Sequence, residues 1–576
     1  MSSQAEWIAK PSFRWPVSVR EVCCYLVVCI VLATYFITLY PIRYANYVPV
    51  GDEPAFLAGS IKADPYQWFT SGYSRYFVVY PEWFKPYTDF IRPMTNAYVW
   101  SLHTIFSDNF AYYLYTYYLA VLIATLLLFR CLNDIGAKGA LVSFAAVIWP
   151  LSPAVVSAGL SIIPFMFDVV AALIVLLAFR AVIYERYFLA ALTLTLAVAT
   201  KETAVFAPLA ASLTILLTRR FSLRNLAISA LMLLPLVLWA AARQLCFGQI
   251  LGGNYTPTGI DSLLRGIDVW PVGINTITSL KAILSARKVT NIEQIFHIAA
   301  FIVDCLLWIT ILLIYVLRFI PLALPALGGE AKPIAQSDSR LLAAMIWFCG
   351  AISYLVLNGL GGRYGGCYYL FLLIVLISVA ERDTQKWMAR LSLSSLVAMA
   401  LLYIPATYYE LKSLRADAET ATKLGASLQR SLSQLGGPGR EILIVNAPPG
   451  YSAPKWIGRL LDSPHELVFV NQFEGCASAP GFSGLPVKAK QGLRIELPEC
   501  ASLIFDGAIN SQFTSGTIDI VDRPGVGVYS FGDGKLSSNK LGYFFVGRQF
   551  YFHSDPSVAD LIYYNWNDKA YEHLVW

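Results

Sequence analysis

Residues 187–218 read YFLAALTLTLAVATKETAVFAPLAASLTILLT, two apolar runs split only by Thr200-Lys201-Glu202-Thr203. A helix needs about 20 mostly apolar residues to cross the hydrocarbon core of a bilayer, and runs near that length recur from Val22 to Leu411. The chain is 57% hydrophobic and only 14% charged, far from the quarter-charged make-up of a soluble domain. The membrane is therefore its solvent. A Lys–Glu pair wedged between spans is costly unless it is paired or lines a watery cavity, so Lys201 and Glu202 are candidates for function. The plainer alternative makes them the outward tip of a tight helical hairpin.

Working outward, apolar runs and Lys/Arg clusters place about eleven spans, near 22–42, 110–130, 139–157, 161–180, 187–200, 203–218, 225–244, 296–317, 341–360, 367–380 and 391–409. Basic residues such as Arg130, Arg180, Arg186, Arg219, Arg340 and Arg382 fall in alternate loops, which assigns those loops to the cytoplasm. Lys10, Arg14 and Arg20 precede the first run, which no small-residue cleavage site follows, so it reads as a retained first span with its N-terminus inside. Residues 1–21 are then cytoplasmic, 22–410 form the membrane part, and 411–576 emerge on the opposite face with the long first loop, 47–109. The net charge of +6 is spread through short loops with no basic stripe, which argues against a nucleic-acid partner.

Within the first loop, residues 91–108 (IRPMTNAYVWSLHTIFSD) combine helical apolar spacing with Arg92, Asn96 and His103. That mixture predicts a helix lying at the membrane interface, among aromatic residues that settle at headgroup level. In the tail, 415–435 reads as an amphipathic helix broken by Gly436-Gly437-Pro438-Gly439, and 441–446 and 467–471 read as strands. The fold class is an α-helical polytopic membrane protein with a small C-terminal extramembrane α/β domain. Most of the ten cysteines lie in or beside spans; Cys476 and Cys500 are the pair that could bridge in an oxidising compartment.

Chemistry-bearing residues are few. Asp52 and Glu53 follow the first span, where partial shielding from water suits a carboxylate to act as a base toward a hydroxyl; a solvated turn is the plain alternative. Asp168 lies inside an apolar run, where a charge costs roughly 2.5–3.5 kcal/mol, and so needs a partner, with Lys201 the candidate. Arg92 and Arg363, the latter followed by Tyr364, add guanidinium groups on the same face, suited to phosphate oxygens or to anchoring at headgroups. The five histidines have no ligand spacing, and neither a Walker loop nor a G-x-S-x-G elbow occurs. No metal site built from protein ligands alone is expected, although a divalent ion, Mg or Mn, could bridge Asp52 or Glu53 to a substrate phosphate.

Taken in order, Asp52-Glu53, the Arg92-Pro93-Met94-Thr95-Asn96 opening of the interfacial helix, Lys201-Glu202-Thr203 and Arg363-Tyr364 resemble the glycosyltransferases of the GT-C fold over about residues 20–410. That resemblance implies a polyprenyl-phosphate sugar donor entering from membrane lipids and a glycan, glycolipid or protein acceptor. It makes Asp52 the catalytic base with Glu53 as second choice. Lys201, Arg92 and Arg363 would hold the donor phosphate, with Glu202, Asp168, Tyr364 and His103 in support. Direct displacement by one base implies inversion at the sugar carbon. A compact chain without N-x-[ST] clusters or an ER retrieval ending favours the bacterial inner membrane, with the site facing the periplasm. The rival function is a transporter or flippase for a lipid-linked or amphiphilic substrate, which would favour internal repeats and Gly/Pro-broken spans.

Overall fold

The structure is a computed structural model that describes residues 22–23, 26–30, 33, 92–107, 109–137, 140–152, 154–155, 162–219, 222–247, 250, 292–327, 336–357, 365–382, 385–435, and the strand residues and one turn between 441 and 574. It opens with α1 (Pro93–Phe106), whose proline sits in the first turn where no helical N–H partner is needed. Pro93, Thr95, Asn96, Val99 and Leu102 are its buried face, while Met94, Trp100 and Ile105 are exposed. This is the helix expected in the first loop. α2 (Phe110–Ile135) is 26 residues, about 39 Å long. It ends at Gly136, where φ is 93° and the backbone N–H is accepted by the carbonyls of Leu132 and Asn133.

α3 (Ala140–Ile148), α4 (Ile162–Ile183), α5 (Tyr187–Thr200), α6 (Phe206–Thr218) and α7 (Leu223–Phe247) follow in chain order. Beyond them come α8 (Ile292–Ile314), a π-turn at Tyr315–Phe319, α9 (Ile320–Leu327), α10 (Gln336–Leu357), α11 (Gly366–Arg382) and α12 (Lys386–Ser433). Each expected span from residue 110 onward has its helix. Among the described residues five helices are long and apolar enough to cross a membrane, and the apolar helices around 141–151, 187–200, 202–218 and 366–381 are shorter. The expected first span, 22–42, lies mostly outside the described residues.

The core joins α4, α6, α10 and α11 through a set of rings. Trp347 meets Phe179 and Phe371 at 5.4 Å each, and Phe206 at 6.5 Å, edge-on or tilted. Its indole N–H donates to Thr214 Oγ1 at 3.1 Å, so the one polar atom of the largest core residue is satisfied. Gly350 on α10 lies against this cluster: a Cβ there would stand 2.8 Å from Phe206 Cδ2. At one end of the bundle, Asp134 on α2 accepts from Arg180 Nε on α4 at 2.5 Å, and its carbonyl accepts from Arg340 on α10. Arg219 at the end of α6 pairs with Glu185 at 2.7 Å on that same side. Arg180, Arg219 and Arg340, three of the basic residues assigned to inner loops, thus lie at one end.

A correction concerns the last helix. Residues 391–409 and 415–435 were expected as a span and a separate amphipathic helix, but α12 is continuous over 48 residues. Polar residues such as Lys412 and Arg415 stop a membrane span without stopping a helix, and no glycine or proline separates the two stretches. At about 72 Å, α12 is more than twice the ~30 Å hydrocarbon thickness, so its far half must project beyond the bilayer.

That far half carries the tail. β1 (Glu441–Val445) pairs in parallel with β2 (Glu466–Phe469) and with β10 (Ala559–Asn565), and β11 (Ala570–Leu574) closes the sheet antiparallel to β10. Leu424 and Leu428 of α12 pack on Ile562, Tyr564 and Tyr571. Ser431 Oγ donates to the Tyr571 carbonyl at 2.9 Å, and the Tyr571 N–H donates to Ser427 Oγ at 3.0 Å. Two further antiparallel sheets hold β3 (Gln472–Glu474), β6 (Ser502–Phe505) and β7 (Ile509–Ser511), and β4 (Val487–Ala489), β5 (Gly492–Glu496), β8 (Gly542–Val546) and β9 (Gln549–His553). The expected strands are β1 and β2, and the tail has more β structure than the sequence reading assigned. Cys476 and Cys500 lie outside the described residues.

Candidate functional site

The site forms where the 187–218 stretch breaks. α5 ends at Thr200, Lys201 is extended with φ −155° and ψ 140°, and Glu202–Ala204 make one 3-10 turn before α6 begins. Extended backbone sends neighbouring side chains to opposite sides, so Lys201 and Glu202 reach different partners. Lys201 Nζ lies 3.1 Å from Asp168 Oδ2 on α4. Thr203 Oγ1 donates to Asp168 Oδ1, also at 3.1 Å. Glu202 instead takes Arg92, at the N-terminal cap of α1. Arg92 Nε donates to its two oxygens at 2.9 and 2.8 Å, and Nη2 stands 2.6 Å from Oε2.

All four charged residues are buried, at 4% exposure or less. A charge taken out of water is tolerated when it is paired and hydrogen-bonded, and each of these has an opposite charge in contact. The two cations and two carboxylates balance. A further bond, Thr95 Oγ1 to the Thr200 carbonyl at 2.7 Å, satisfies an acceptor at the end of α5 and fastens α1 to the break. Gly366 at the start of α11 lets that helix close on Asp168, because a Cβ there would sit 3.2 Å from the Asp168 carbonyl oxygen. Trp149 Nε1 donates to the Gly366 carbonyl at 3.3 Å and holds the approach from the other side.

Sequence reasoning missed two neighbours. Tyr354 on α10 has its hydroxyl in the field of Glu202, Arg92 and Asp168, and Arg243 on α7 acts on the same group. Arg243 is 2% exposed; its Nε donates to the Ile250 carbonyl at 2.8 Å and its guanidinium lies 5.2 Å over the Trp239 ring. Neither residue carried a signal: Tyr354 sits in an apolar run among many tyrosines, and Arg243 looks like the polar end of a span.

The structure therefore brings Arg92, Asp168, Lys201 and Glu202 together. His103 is not with them. It lies eleven residues along from Arg92, about 16 Å on a helix, with Nδ1 3.5 Å from Tyr113 Oη. Asp52, Glu53, Arg363 and Tyr364 lie outside the described residues. Among the described residues no three His, Cys, Asp or Glu side chains group as metal ligands. Asp168 and Glu202 are each engaged by a cation.

These features define a class: a multi-pass helical membrane protein with a buried, charge-balanced cluster where a helix break meets the start of α1. No family model matches the chain, and no curated protein matches it. Among solved structures it is similar to the apo form of the Archaeoglobus fulgidus oligosaccharyltransferase, at 12% identity and a TM-score of 0.37, over 74% of this chain and 62% of that one. The oligosaccharyltransferase AglB of that organism, in complex with an inhibitory peptide and a dolichol-phosphate, matches at 12% identity and 0.38, over 78% and 65%. A complex with Zn and sulfate matches at 11% and 0.42, over 77% and 62%. The chain spans less than two-thirds of the length of these proteins. Likeness at that level carries no argument about fold or chemistry, which rest on the residues of this chain.

Proposed function

We propose that this protein is an inverting glycosyltransferase that moves a sugar from a polyprenyl-phosphate carrier to a cell-envelope acceptor, a glycan, glycolipid or protein, on the outer face of a bacterial inner membrane. The observation that carries the reading is the meeting of Arg92 and Glu202, 110 residues apart in sequence, in one buried cluster with Lys201 and Asp168. A membrane protein that collects cations beside the helix of its first loop has what a lipid-phosphate headgroup needs.

In the reaction the acceptor hydroxyl oxygen bonds to the anomeric carbon while the bond from that carbon to the phosphate oxygen breaks. The hydroxyl proton passes to Asp52, or to Glu53 in its place. Lys201, Arg92 and Arg363 offset the charge on the departing phosphate, which leaves with the bond's electron pair. Glu202 and Asp168 fix the two buried cations, and Tyr364 and His103 are assigned to support. Asp52 or Glu53 would hold a Mg or Mn ion, which would supply further positive charge to offset that of the departing phosphate.

The test is mass spectrometry of envelope glycans, lipid A and surface proteins from cells with the wild type, with Asp52→Asn, and with no protein. The expected result is a sugar-sized mass present only with the wild type. Normal product with Asp52→Asn as the sole copy removes Asp52 as base. No change in any fraction, with a lipid-linked precursor accumulating on one membrane face, replaces transfer by transport.

A further inference from the structure

The Arg92–Glu202 contact has the form of an occupied anion site. Resting on the donor reading above, we propose that Glu202 stands in for the donor phosphate on Arg92, and that the phosphate takes over the guanidinium by displacing this carboxylate while Lys201 stays with Asp168. Both Glu202 oxygens accept from Arg92 Nε, and Oε2 stands 2.6 Å from Nη2, so a two-oxygen anion already occupies the guanidinium edge that a phosphate could take. A buried guanidinium with no counter-charge would be costly, so an empty site needs a carboxylate there. Exchange of one anion for another keeps the charge beside Arg92 balanced throughout.

The two cations differ in how firmly they are held. Asp168 lies within regular helix α4, is held by Thr203 as well as Lys201, and has Gly366 closed over its backbone. Lys201 therefore contributes its field from a fixed place. Glu202 belongs to a three-residue 3-10 turn, where re-aiming a side chain breaks no α-helical ladder. Arg92 is the cap of α1, joined to the first loop. Exchange thus falls on the pair built from a turn and a helix end.

The test measures binding of farnesyl phosphate to the purified full chain in detergent by calorimetry, with farnesol and inorganic phosphate alongside. Glu202→Gln removes the competing charge and is expected to bind farnesyl phosphate roughly tenfold more tightly than wild type, with a larger ligand-induced rise in melting temperature. Folded Glu202→Gln that binds equally or more weakly overturns the exchange. If that variant does not fold, Glu202→Asp, whose shorter carboxylate reaches Arg92 poorly, is expected to shift affinity the same way, and parity with wild type overturns it. Absence of farnesyl phosphate binding by wild type and variant alike removes the donor reading itself. An equal gain for inorganic phosphate, or any gain for farnesol, overturns the lipid-phosphate source.

Discussion

At the residue scale, the site depends on pairs that hold only as pairs. Lys201→Met leaves Asp168 buried without its cation, and is expected to cost about 3–5 kcal/mol, whereas removing both charges with Asp168→Leu as well returns much of that loss. Thermal unfolding of the four proteins in one detergent checks this. Strict additivity of the two single changes would show that the charges do not depend on each other. Gly350→Ala tests packing instead of charge. Its Cβ meets the Phe206 ring at 2.8 Å, so α10 or α6 must shift, and a loss of about 1–3 kcal/mol is expected in the same assay.

Elements are fastened at both ends by different means. At the end opposite the site, Asp134 holds Arg180 and, through its carbonyl, Arg340, linking α2, α4 and α10. Asp134→Asn removes the charge where its carboxylate is 7% exposed, and about 2–4 kcal/mol of stability should go with it; a melting temperature within error of wild type would show that α2 and α4 do not rely on this carboxylate contact. In the C-terminal sheet, Tyr563 on β10 donates to Glu572 Oε2 on β11. Burial, with Glu572's bond and charge, pushes the Tyr563 phenol above its ordinary value. A phenol raised on folding contributes stability fully below its unfolded pKa of about 10, and that contribution is lost as pH rises above it. Tyr563→Phe should therefore flatten the decline in stability above about pH 10, followed by circular dichroism during alkaline titration. An unchanged slope would assign the decline to other tyrosines.

Over the whole molecule, α12 is the element that, among the described residues, runs from the membrane part into the tail. Its Leu428, 1% exposed, seats the β11–β10–β1–β2 sheet. Leu428→Asp places a charge in that seam. Limited proteolysis is expected to trim the chain beyond about residue 435 while the helices up to Pro405 survive. Resistance equal to wild type would mean that other contacts hold the sheet.

The sequence alone determined the solvent and the list of parts. Hydrophobic runs can be recognised one residue at a time, so helices at ten of the expected span positions, the helix at 93–106 and two of the strands were legible from their patterns. Arg92, Asp168, Lys201 and Glu202 stood out for the same local reason, each a charge in apolar surroundings. Lys201 was already the sequence's candidate partner for Asp168, and the structure pairs them; that Glu202 answers Arg92 was decided only by the tertiary structure. Pairing depends on the extended backbone at Lys201, which turns adjacent side chains apart, and on helices that bring residues 92, 168 and 202 to one place. Tyr354, in the field of that cluster, escaped notice for the same reason, since proximity across a fold leaves no mark on a local pattern. The continuity of α12 was hidden by the opposite effect: hydropathy reports where a helix leaves the membrane, while the helix itself goes on as long as its backbone hydrogen bonds do.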